Sequence, residues 1–579
     1  MAKGDVKLVT PHAAVIIWNY RDRVGPNGPR FNLDSVEQKI ISTISLIGIR
    51  TSKSKSTPAG NFELTLAPTK NWVNLITPGS WLCILMSQTK LEAVDFQRAD
   101  PKKVKLLGRV DSVRVDVKVD QETGARQTVY SVVGSDWAQI FNTTLYIDPV
   151  ARELPTADGR GTPDVGVANR WLYDKYVTDI STATNIPSGS TNVKALINLW
   201  GTTNSAFTAA KEIVANANVL VKPEVAFMLP KEVYNYFKFK NKSRKLVDLI
   251  SYRFGVLNGY DNYQDKLEAV GIVKPDSILG THTMWQVLND NCNNLLNEML
   301  CDMRWDSNGR PSLCLYKRIR PFCVRSTNEI LSDGHSKGAD FLKGLISRFE
   351  NVKRVKIPVE NVLSVNAGTN WRDKYNYVEI QGDKQILEDL RAVNVKINSS
   401  ISNGPVYSRE GFRPMIVPTK YFAPKADFSY DPDATVQWKY LLKEWYFDTH
   451  NMLNGTITFS GLDDYIQVGD NIIVDASVVG ASNNTNIDNL RNKNNSYMLA
   501  HVESVNHSFS VNPDGARSYF TTVQFVRGII TNAEGKQFRI GKGRLDEDAR
   551  AMNQVDEKNT VNVFSTSTSN DLDNSYDGN

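Results

Sequence analysis

The feature that most constrains the fold lies between residues 113 and 133. Val113, Val115, Val117 and Val119 alternate strictly with Arg114, Asp116, Lys118 and Asp120. A period of two sends one set of side chains to each face of an extended strand. Gln121-Glu122-Thr123-Gly124 then makes a turn, and the chain returns through Thr128-Val129-Tyr130-Ser131-Val132-Val133. This predicts a long β-hairpin with a charged face. Such an arm can arch over a neighbouring subunit, line a channel, or stand as a solvated edge.

Other segments carry the same signal. Phe62, Leu64 and Leu66 alternate with Glu63 and Thr65, and a turn at Pro78-Gly79-Ser80 leads into the apolar run Trp81 to Met86. Strands are expected at Val359 to Val365 and at Tyr375 to Ile380. More follow between residues 455 and 530: Gly455 to Phe459, Val468 to Val474, Tyr497 to Val505 and Ser518 to Val526. The last two are separated by the turn Asn512-Pro513-Asp514-Gly515. Short strands with turn residues between them suggest a small barrel. Helical spacing appears in two places. Thr283 and Gln286 have capping-box spacing, and Trp285, Leu288, Cys292, Leu295 and Met299 then fall on one helix face. Trp438, Leu441, Leu442 and Trp445 repeat the pattern. The fold class expected is a β-rich α+β multidomain chain with helical inserts. At 579 residues it has room for about four domains of ~150 residues.

Several function classes are disfavoured. The net charge is only +5, with Lys and Arg interspersed among Asp and Glu, so no sequence-specific nucleic acid binding is expected. The apolar patch Ala13 to Trp18 is too short to cross a bilayer, and no cleavage site follows it. No membrane partner is expected, and the chain should fold in a cytoplasm. Its five cysteines, Cys83, Cys292, Cys301, Cys314 and Cys323, are embedded in apolar segments and read as buried thiols.

A search for catalysis yields little. His501 and His507 lie in expected strand and read as satisfied structural histidines. Glu298 and Asp302, placed at the end of the Trp285 helix, could pair as acid and base if a cleft joined them. A solvated helix end, or partners for Arg304, Arg318 or Arg320, is the plainer alternative. Gly541-Lys542-Gly543-Arg544 lacks the full phosphate-loop pattern. No GxSxG elbow and no CxxC pair occur. Trp438, Tyr440, Trp445 and Tyr446 have the spacing of core aromatics. No catalytic residue, cofactor or metal is expected.

Three stretches resemble the bacteriophage baseplate (tail) hub proteins, relatives of type VI secretion spike proteins. One runs from Gly60-Asn61-Phe62-Glu63-Leu64 through Pro78-Gly79-Ser80-Trp81 and Gly108-Arg109-Val110-Asp111 to Gly134-Ser135-Asp136-Trp137. Another joins Trp285 to Leu288, Asn297 to Asp302, and Leu313 to Phe322. The last joins Gly455 to Asp470, Tyr497 to Ser510, and Gln524 to Gly528. The resemblance implies a first tube-like β-barrel (1–150), a mixed insert (151–310), a second tube-like barrel with a helical insert (311–455), a small C-terminal barrel (456–535) and a polar tail (536–579). It also implies a homotrimer whose ring of six barrels adapts a hexameric tail tube to a trimeric spike and leaves a channel for DNA. The implied partners are the tube or tube-initiator protein, the central spike, baseplate wedge proteins and the tape measure protein. The implied location is the virion baseplate of a contractile tail. Rival readings are a tail-associated cell-wall hydrolase and a peripheral receptor-binding protein.

Overall fold

The computed structural model describes, apart from short gaps, residues 10–143, 228–254, 297–319, 352–382, 411–419, 449–479 and 497–531, with a few shorter pieces between them. Seven strands form a first module: β1 (His12–Tyr20), β2 (Val36–Ser42), β3 (Leu46–Ser54), β4 (Asn61–Leu66), β5 (Trp81–Ser87), β6 (Val104–Val119) and β7 (Arg126–Asp136). They pair antiparallel in the order β3-β4-β7-β6-β5-β1-β2. The long hairpin predicted at 113–133 is the distal part of β6 and β7. Alternate residues such as Val15, Ile17, Ile49, Leu64, Ile84, Leu106 and Val132 meet in a single core, with Trp72 among them. The sheet therefore curls round one apolar interior.

β1 and β5 are apolar on both faces because both faces are covered. Their outward residues Ile16, Trp18, Trp81, Cys83 and Leu85 pack against the insert. The insert contributes the helix Lys231–Phe237 and a sheet of β8 (Ile250–Phe254), β9 (Asn297–Trp305) and β10 (Pro311–Ile319), in the order β8-β10-β9. Cys83, Cys301 and Cys314 are buried.

One expectation fails here. Met299, Glu298 and Asp302 do not extend the Trp285 helix; they lie in β9. Trp285 and Gln286 are helical, and the capping box forms, with the Thr283 N–H donating to Gln286 Oε1 at 2.9 Å and the Gln286 N–H to Thr283 Oγ1 at 3.2 Å. Beyond it, Met299, Cys301, Met303 and Trp305 alternate with Glu298, Asp302 and Arg304, and that period of two prevails.

A second module is built from β11 (Arg354–Ile357), β12 (Val362–Gly368), β16 (Leu453–Ser460), β17 (Asn471–Asp475), β18 (Tyr497–Val511) and β19 (Arg517–Thr531). Its order is β12-β16-β19-β18-β17-β11, antiparallel except for the β11–β17 pair. Val355, Ile457, Phe459, Ile472, Val502 and Phe525 share its core. A small side sheet follows β12 in the chain: β13 (Tyr377–Gly382), flanked by β14 (Ile401–Ser402) and β15 (Pro414–Thr419). The boundary expected at 455 runs through β16, which pairs with β12 before it and β19 after it.

The two modules repeat one plan. In chain order, β3, β4, β5, β6 and β7 match β12, β16, β17, β18 and β19, and the four pairings among them are the same. Bulges recur at matching points: Leu46/Gly48 against Val362/Ser364, and Val110/Ser112 against Val502/Ser504. A 3-10 turn precedes each first strand, Thr43–Ser45 and Val359–Asn361. The corner before the third strand also recurs bond for bond. Gly79 (φ +86°) and Gly469 (φ +82°) donate their N–H to Val110 O at 2.7 Å and Val502 O at 2.9 Å. Those valines donate back to Ser80 O at 3.0 Å and Asp470 O at 2.9 Å. The likeness thus extends over whole modules and is not confined to single strands.

Candidate functional site

The candidate site is the seam where the two modules meet. β18 changes partner along its length. Tyr497 to His501 pair with β17 of the second module, whereas Ser504 to Ser510 pair with β3 of the first. The bulges between Leu499 and Ser504 provide the bend that permits this change. Phe509 and Tyr519, at the far end of the β18–β19 hairpin, are buried in the first module's core. One hairpin therefore belongs to two cores, and it covers the edge that β3 would otherwise expose.

β9 wedges between the same two bodies. Its odd-numbered side chains Met299, Cys301 and Met303 enter the core shared with β1 and β5, while Leu300 enters that of the second module. On this second face Glu298 is fully buried. Its Oε2 lies 3.0 Å from His501 Nε2 and 3.2 Å from Lys55 Nζ, and His501 Nδ1 lies 2.9 Å from Asn471 Oδ1. Lys55 also pairs with Glu503. Charges removed from water need such partners, and here the partners come from β9, β17, β18 and the residue after β3. At the other end of β9, Arg304 Nη1 meets Asp470 Oδ1 at 2.7 Å and Arg304 Nη2 donates to Val468 O at 3.0 Å. This clamps β9 to the Gly469 corner.

A shallow cleft lies beside these contacts, lined by Lys53, Asp136, Asp302, Tyr465, Gln467 and His507 among others. Burial raises the Asp302 carboxyl to about 6, against the pull of Lys53 and Arg304. Burial holds His507 well below the usual imidazole range, so it is neutral, with Nδ1 3.0 Å from Thr521 Oγ1. Among the described residues, no group of three or more His, Cys, Asp or Glu is placed to hold a metal ion. No helix among them is long and apolar enough to cross a membrane.

No family model matches the chain. A search of curated proteins also finds no match. Solved structures similar to it include a tail protein from Neisseria meningitidis MC58, at 10% identity and TM-score 0.39, covering 89% of this chain and 96% of that one. The 43 kDa tail protein of prophage MuSo2 from Shewanella oneidensis follows at 11% identity and TM-score 0.38, covering 89% and 98%. The Francisella PdpA-VgrG complex is similar at 8% identity and TM-score 0.37, with 93% of this chain covered but only 55% of that chain.

The residues weighed for catalysis are now placed. Glu298 and Asp302 share a face of β9 but stand four residues apart on an extended strand, roughly 13 Å. Glu298 is committed to His501 and Lys55, and Asp302 faces the cleft, so the two do not form an acid–base pair. His501 and His507 are buried and hydrogen-bonded. Trp438, Tyr440, Trp445 and Gly541 to Arg544 lie outside the described residues. The β6–β7 arm leaves Val115 (48%) and Val117 (57%) exposed. The resemblance implies two tube-like barrels, but sequence reasoning did not link the stretches that take matching places in the two modules, Gly108-Arg109-Val110-Asp111-Ser112-Val113 and Ala500-His501-Val502-Glu503-Ser504-Val505.

Proposed function

We propose that the chain is a non-enzymatic structural hub of a phage tail. The observation that carries this reading is the duplication: one polypeptide holds two copies of a five-strand unit, joined edge to edge by β18 and β3. Three such chains supply six like units with overall three-fold symmetry. That adapts a hexameric tail tube on one side to a trimeric spike on the other. In this reading the described strands within 12–136 and within 354–531 belong to the two tube-like domains, and the described elements within 228–319 belong to the insert packed against both. The hub resemblance of three sequence stretches supports the same assignment.

In this role the partners are two further copies of the chain, the tube or tube-initiator protein, the central spike, wedge proteins and the tape measure protein. The location is the virion baseplate of a contractile tail, after assembly in the host cytoplasm. Permanent interfaces of this kind bury more than ~2,000 Å² and need no catalytic residue. The ring leaves a channel for DNA, whose lining should not grip phosphate.

Negative-stain microscopy of the purified chain, with its mass from light scattering, tests the proposal. The expected particle is a hollow three-chain ring with six lobes. A chain that stays monomeric at every concentration, or lysis of cell-wall substrate that disappears in Glu298→Gln, overturns it.

A further inference from the structure

The internal joint supplies a template for a joint between chains. In the first module, β3 receives the distal half of β18 along its free edge, in the register Asn506↔Ser52, His507↔Thr51, Ser508↔Arg50, Phe509↔Ile49 and Ser510↔Gly48. Among the described residues, the matching edges elsewhere have no strand partner. β12 corresponds to β3, and among the described residues it pairs only with β16; its Leu363 is 52% exposed. The distal half of β6 corresponds to the distal half of β18. It carries valines at 115 and 117 that face solvent within one chain.

We infer that the β6–β7 arm of one copy adds to the free edge of β12 in a second copy, so that chains join head to tail through the same strand pairing that joins the two modules within each chain. The occupant is a second copy of this chain because the acceptor is the repeat of an edge already seen filled. The inserted strand is likewise the repeat of the strand that fills it. The matched bulges fix the register. Val110 stands for Val502 and Val362 for Leu46, so Ser508 opposite Arg50 becomes Asp116 opposite Asn366, and Phe509 opposite Ile49 becomes Val117 opposite Val365. Val117 then takes the position that Phe509 occupies in the first module, beside a Val365 already packed on the second core. Main-chain hydrogen bonds supply the affinity, as in other strand additions. They also remove an open edge and an apolar stripe, both of which invite uncontrolled aggregation. A contact of this kind is heterologous and closes into a ring when its rotation permits. The inference rests on the hub reading in requiring self-association, but it specifies a contact that the reading leaves open.

Mixed single-cysteine variants of the full chain test it. Opposite positions in an antiparallel pair alternate between wide and narrow sites, so one of two adjacent pairs meets disulfide geometry. Asp116→Cys is mixed with Asn366→Cys, and Val117→Cys with Val365→Cys, under mild oxidation. A covalent dimer is expected in at least one mixture and in neither variant alone, and it should be absent when Asp116→Cys meets Gly368→Cys. Val115→Asp with Val117→Asp should abolish the oligomer while leaving the chain folded with an unchanged far-ultraviolet circular dichroism spectrum, since both side chains are exposed within one chain. An oligomer of normal mass without either cross-link overturns the arm-to-edge joint and leaves the hub reading standing. A dimer from Asp116→Cys alone means that arms pair with arms, which also overturns it. A wild-type chain that is monomeric by mass overturns both.

Discussion

Gly79 and Gly469 hold the same left-handed backbone conformation at equivalent corners of the two modules, φ +86° and +82°, and each donates to the valine that precedes a bulge. A side chain at such a φ is strained by about 1–2 kcal/mol. Gly79→Ala and Gly469→Ala should therefore each lower unfolding stability by that amount. Chemical denaturation of the two variants checks this. Similar losses are expected, because the corner is the same structure built twice.

Glu298 has no solvent to fall back on. Removing its carboxylate leaves Lys55 and His501 buried beside an empty site, and breaking a buried pair from one side costs about 3–5 kcal/mol. Glu298→Ala should show a loss of that size. Glu298→Ala combined with His501→Ala should cost less than the sum of the single losses, because the two share one interaction. A denaturation double-mutant cycle reads the coupling directly.

Phe509 belongs by chain position to the last hairpin but by burial to the first module. Phe509→Ala should cost about 3–5 kcal/mol, the usual loss for truncating a buried aromatic. The damage should appear in the first module, as loss of hydrogen-exchange protection along β3 and β4. Equal protection in variant and wild type would refute the shared-core description.

Asp302 gives a defined pH signature. Its carboxyl sits at about 6 in the folded chain against an ordinary value of 3.8, so between about pH 4 and 6 the folded state holds a proton that the unfolded state has lost. Stability from this group therefore falls as pH rises through that window and stays lowered above it. Asp302→Asn should flatten that part of the stability profile. At neutral pH it should raise stability by about 1–2 kcal/mol, allowing for the part of the carboxylate that meets water. Thermal melts from pH 4 to 8 test the sign.

The local pattern made most strands legible. Val113 to Val119, Phe62 to Leu66 and Tyr497 to Val505 alternate or cluster as extended chain must, and each is found in a strand. β9 was misread because Trp285, Leu288, Cys292, Leu295 and Met299 fit a helical period as well as Met299, Cys301, Met303 and Trp305 fit an extended one. Two periods overlap at Met299, and local spacing cannot choose between them. The polar cluster was not legible at all. Lys55, Glu298, Asn471 and His501 are far apart in the chain, and no spacing rule links them.

The sequence by itself determined where the chain is extended, where it turns at Gly79 and Gly515, and which of its faces are apolar, because these follow from side-chain period and backbone freedom within a few residues. Only the tertiary structure decided that β12 and β16 pair across the intervening side sheet. It alone decided that β18 serves two sheets, and that Ala13 to Trp18 are apolar on both faces because an insert covers the outer one. Pairing partners are set by which buried surfaces fit together across long separations in the chain, and that information is shared among residues that no local window contains.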